Sequence, residues 1–65
     1  MIELTEYDTS LDRKTRIAIN PQFVARVKPH HLRPELCYVI MSGGHVVTID
    51  GSYLEIVSLF TDKTL

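Results

Sequence analysis

The sequence predicts a small α+β domain, mainly β: an antiparallel sheet of 4–5 strands with one C-terminal helix packed on one face. Three observations point there. Apolar and polar residues alternate with period two through much of the first fifty positions, the sign of strands with one buried face. Gly43-Gly44 separates two apolar runs, a hairpin signal that makes neighbouring strands antiparallel. Ser52-Tyr53-Leu54-Glu55 has the spacing of a capping box and opens a stretch of helical period.

The elements follow in order. Ile2 to Tyr7 alternates strictly and reads as the first strand, and the turn formers of Asp8-Thr9-Ser10-Leu11-Asp12 read as a loop. From Arg13 to Asn20, Thr15, Ile17 and Ile19 point one way and Lys14, Arg16 and Ala18 the other. Asn20-Pro21 ends that strand, because proline fixes φ and donates nothing to a ladder. Residues 23–28 read as a third strand entered by a tight bend, although Phe23, Val24, Ala25 and Val27 do not sort into two faces. The order is therefore β-β-β-β-β-α, or β-β-turn-β-β-α if that segment stays irregular. Pro29 to Pro34 is an exposed loop, Leu36 to Ser42 a nearly continuous apolar strand, and His45 to Asp50 its return. In the helix, Tyr53, Ile56, Val57 and Phe60 form one stripe that ends near Thr61.

The chain of 65 residues is one domain, 1–65. A domain of this size buries only about 60% of its unfolded surface, so its core is small. A single cysteine, Cys37, makes no internal disulfide, and no ligand spacing suggests a structural zinc. No apolar run reaches membrane-spanning length, and the N-terminus carries acid where a secretory signal carries base. The expectation is a cytoplasmic protein that makes no membrane contact and holds no cofactor.

If Gly43-Gly44 is a two-residue turn, Ile40 lies opposite Val47 and Tyr38 opposite Ile49. Leu36, Tyr38, Ile40, Val47 and Ile49 then seat the helix, and Cys37, Val39, Met41, Val46 and Thr48 form the other face. That second face is apolar for a surface meeting water. Either the chain curls into a small barrel over it, or it is the interface of a homodimer.

The net charge of −1 is a cancellation. Six cations (Arg13, Lys14, Arg16, Arg26, Lys28, Arg33) and two histidines (His30, His31) lie between positions 13 and 33 with no acid, giving +6. All eight acids and Lys63 lie outside, giving −7. If the second and third strands are neighbours, these residues form one stripe for a polyanion or acidic partner. The alternative is that they pair with Glu3 and Glu6 of the first strand, and a chain that is not basic overall favours this. Tyr7 and Phe23 are the aromatics nearest the basic segment, and with Phe23 assigned to the core no base-stacking platform is evident.

Catalytic chemistry is not indicated. Adjacent histidines on an extended backbone point in opposite directions, so His30 and His31 do not share a metal site. Cys37 reads as a small buried hydrophobe, Gly43-Gly44 lacks the lysine of a phosphate cradle, and Asp50 is placed to complement the helix N-terminus.

The opening Ile2-x-Leu4-Thr5, then Asn20-x-x-x-Val24-x-x-Val27, and Gly44 with alternating apolar residues to Ser52-x-x-Glu55-Ile56 together resemble the FlbD family of small flagellar and swarming-motility proteins. The chain departs from that pattern in longer loops around 8–12 and 29–34 and in having Gly51 before the serine. Small phage and mobile-element proteins are similar, and the layout is similar in outline to the dimeric carbon-storage regulators. The expected function is a small non-enzymatic protein-binding or regulatory module, related to motility or phage and acting as a homodimer. The alternative is a nucleic-acid-binding regulator that uses the basic 13–33 segment.

Overall fold

Five strands and one helix follow the expected order in the structure, a computed structural model that describes residues 1–63. The strands are β1 (Ile2–Asp8), β2 (Arg13–Ile19), β3 (Val24–Pro29), β4 (Leu36–Met41) and β5 (Val46–Asp50), followed by α1 (Tyr53–Lys63). They form one antiparallel sheet in the spatial order β2-β1-β5-β4-β3. β2 and β3 occupy opposite edges, so the sheet stays open and no barrel closes.

β1 and β2 pair without interruption from Ile2↔Ile19 to Asp8↔Arg13. The Asp8 carboxylate ties the intervening loop by accepting from the Ser10 hydroxyl at 2.7 Å and its N–H at 3.0 Å. These bonds, the Ser10 hydroxyl first, hold Asp8 below the usual carboxylate range. After β2, the Asn20 side chain accepts from the Gln22 N–H and caps a single 3₁₀ turn, Pro21–Phe23. Phe23 sits in this turn and is 56% exposed, not in the core.

The third strand forms, and its mixed pattern has a local cause. The β3–β4 register shifts between Val24 and Arg26, leaving Ala25 as the extra residue of a bulge. Val24 opposite Met41 and Val27 opposite Val39 therefore share the core face although they are three residues apart.

The β4–β5 hairpin differs from expectation by one residue. The Met41 carbonyl accepts from the Gly44 N–H at 2.8 Å, and the Met41 N–H donates to the His45 carbonyl at 2.8 Å. The loop is Ser42-Gly43-Gly44, with Gly44 at φ +92°, a left-handed conformation that glycine adopts without steric cost. The register is then Val39↔Val47, Tyr38↔Thr48 and Cys37↔Ile49. A slip of one residue moves every side chain of a strand to the other face, and here it inverts β4. Cys37 and Val39 are fully buried and Met41 packs against the core, so these three are not part of an exposed oligomer surface. Val46, 52% exposed, and the half-buried Thr48 do lie on the outer face, where Tyr38 and Ile40 join them.

The core joins Ile2, Leu4, Ile19, Cys37, Val39, Val47 and Ile49 to Ile56 of the helix. Leu36 is also fully buried, outside this cluster. The Ser52 hydroxyl accepts from the Glu55 N–H at 3.3 Å, and the Glu55 carboxylate accepts from the Ser52 N–H at 3.1 Å, completing the capping box. α1 lies against β3 and β4. Ile56 is buried and Phe60 packs on the core, whereas Tyr53 is exposed.

Candidate functional site

The sheet face opposite the helix carries most of the polar and aromatic residues that β-pairing brings together. Lys28, Tyr38 and Thr48 form one row across β3, β4 and β5, and Arg26, Ile40 and Val46 form the next. Thr5 and Tyr7 of β1 face the same side, opposite Arg16 and Lys14 of β2.

The basic segment does not make one stripe, because β2 and β3 lie at opposite edges of the sheet. On the β1–β2 side the cations are matched by acids. Arg16 contacts Glu3 at 3.2 Å and donates to the Thr5 hydroxyl at 3.0 Å. Lys14 reaches Asp50 at 3.1 Å, so Asp50, just before the helix, also partners a strand residue. Arg13 lies opposite Asp8. Arg33 pairs with Glu35 at 3.1 Å and stands 5.0 Å above the Tyr7 ring. Hydrogen bonding to Tyr7 first, and then to Glu35, raises the Arg33 guanidinium above its ordinary value. On the β3 side, Arg26 and Lys28 are exposed and have no ion pair among the described residues. Glu3 and Glu6 are three strands away.

Next to these two cations is a cluster of rings. The loop after β3 bends, so His30 and His31 do not point apart as on an extended backbone. Their rings stack at 4.7 Å. Tyr38 stacks on His30 at 4.9 Å and shares a 2.8 Å hydrogen bond with His31 Nδ1. His30 Nδ1 accepts from the backbone N–H groups of Leu32 and Arg33 at 3.1 and 3.0 Å, so the neutral ring carries its proton on Nε2. These bonds fix the loop and the cluster together. Arg26, Lys28, Tyr38, Ile40 and Val46 line a shallow depression of about 370 Å³. A second depression, of about 460 Å³, lies where Leu32 of the loop approaches Tyr53 and Leu54 at the start of α1.

Burial pushes the Cys37 thiol up to about 11, which keeps it protonated near neutral pH. Among the described residues, no group of three or more His, Cys, Asp or Glu is placed to hold a metal ion. No described helix is long and apolar enough to cross a membrane. No family model, curated protein or solved structure matches the chain.

Of the basic residues read from the sequence, Arg26, Lys28, His30 and His31 gather at one edge. Arg13, Lys14 and Arg16 do not join them, and Arg33 is tied to Glu35 and Tyr7. Tyr38 and Ile40 were missed because a two-residue turn points them inward. The signal was present: Ser42-Gly43-Gly44 fits a three-residue loop with a left-handed glycine at its end.

Proposed function

We propose that this chain is a non-enzymatic binding module whose working surface is the outer sheet face at β3 and β4, and whose ligand is a polyanion. One observation carries the reading: Arg26 and Lys28 stand beside an open depression with no acid opposite them. An exposed cation without a partner contributes little to stability and remains available to a ligand. A homodimer was expected on the strength of a face made from Cys37, Val39, Met41, Val46 and Thr48, of which the fold turns the first three inward. The polyanion reading keeps Arg26, Lys28, His30 and His31 together at one edge and therefore ranks first.

The test is a salt titration of binding to heparin and to inorganic polyphosphate, neither of which carries bases. Affinity should fall linearly on logarithmic axes as salt rises, because the bound anionic groups release counterions. Arg26→Ala with Lys28→Ala should flatten that slope. Absence of binding to both polyanions at low salt refutes the proposal.

A further inference from the structure

The depression beside Arg26 and Lys28 contains more than charge, and the additional groups narrow the ligand. We infer that the β3–β4 face binds single-stranded nucleic acid, with one unpaired base stacked against Tyr38 and the flanking phosphates held by Arg26 and Lys28. This inference rests on the polyanion reading and deepens it by naming the ligand class.

Tyr38 is half-buried, on a central strand, and forms part of the wall of the depression. Its ring orientation is set by the stack with His30 and the hydroxyl bond to His31, and His30 is itself anchored by two backbone N–H donors. A ring held on several sides loses little further freedom when a base packs against it, which favours stacking over a mobile aromatic. Ile40 and Val46 form an apolar floor beside it, suited to the face of a base and not to a phosphate.

The cations are spaced to match. Arg26 and Lys28 lie two residues apart on a strand and on the same face, about 7 Å from one another. Consecutive phosphates of an extended single strand can span such a gap. Backbone charge held by a basic edge and bases held by rings are the two components of sequence-tolerant single-strand binding. A heparin-like chain would use the cations but carries no aromatic base to stack on Tyr38. A duplex keeps its bases paired and stacked, out of reach of a shallow depression.

The experiment uses the full chain at low salt with four probes of equal length: an oligothymidylate single strand, a duplex, an abasic deoxyribose-phosphate strand and inorganic polyphosphate. The expected order has the single strand tightest and the other three weaker. Tyr38→Ala should weaken single-strand binding by about 5- to 100-fold and leave abasic-strand and polyphosphate binding nearly unchanged. Tyr38→Phe should retain most of the single-strand affinity. Because the abasic comparison uses the unmodified protein, the result stands even if Tyr38→Ala fails to fold. If the abasic strand, the duplex or polyphosphate binds as tightly as the single strand, stacking is refuted and the polyanion reading survives. If none of the four binds, both fall and a protein partner takes their place.

Discussion

The two ends of this sheet were built from similar residues and finished differently. β1–β2 and β3–β4 both present cations on the same outer face, but on β1–β2 Lys14 and Arg16 meet Asp50 and Glu3, whereas Arg26 and Lys28 make no ion pair among the described residues. The β1–β2 cations support a hairpin, and the β3–β4 cations remain available. Local charge density along the chain is therefore a poor guide to a binding surface. What matters is which strand becomes the neighbour.

Substitutions can break this contrast or sharpen it. The largest effect should come from β5, which joins the halves: Ile49 is fully buried, opposite Cys37 on one side and Glu6 on the other. Ile49→Ala should lower stability by about 2–5 kcal/mol in chemical denaturation, and both ends should be lost in one transition. Gly44→Ala acts on the β4–β5 hairpin. A Cβ there meets nothing within 4 Å, so the cost is that of a left-handed alanine, about 1–2 kcal/mol, read as a shift in the denaturation midpoint.

Removing the helix cap should cost somewhat less. Ser52→Ala should lose about 1 kcal/mol. Hydrogen bonding from Ser52 holds the Glu55 carboxyl below its ordinary 4.5. That contribution is complete above pH 4.5 and is lost as pH falls through the lowered folded value. An acid titration of stability should therefore be flatter for Glu55→Gln than for the unmodified chain.

The smallest effect belongs to the paired end. Lys14→Ala with Arg16→Ala removes two exposed ion pairs and should change stability by no more than about 1 kcal/mol. The salt slope of heparin binding should be unchanged, in contrast to Arg26→Ala with Lys28→Ala. Equal slopes for the two double variants would erase the distinction between the ends.

Much of the fold was legible in the residues. Alternation in 2–7 and 13–19 and the capping box at Ser52 are local signals, and each became the expected element. The errors share a character. The bulge at Ala25 hid the common face of Val24 and Val27, and the added loop residue Ser42 reversed β4. Each is a single added residue, and in a structure of period two a single residue changes the sign of every later assignment. The site was legible in part: Arg26, Lys28, His30 and His31 were singled out, but Tyr38, which brings them into relation, was assigned to the core.

The sequence by itself determined the composition of the strands, their antiparallel connection, the helix and its cap, and the concentration of positive charge between 13 and 33. These follow from periodicity and short-range backbone chemistry, which act within a few residues. Only the tertiary structure decided that β2 and β3 stand at opposite edges, that Cys37 and Val39 face inward, and that Tyr38 lines one depression with Arg26 and Lys28. Those outcomes depend on register and strand order, which are set by packing a single apolar core across the whole sheet.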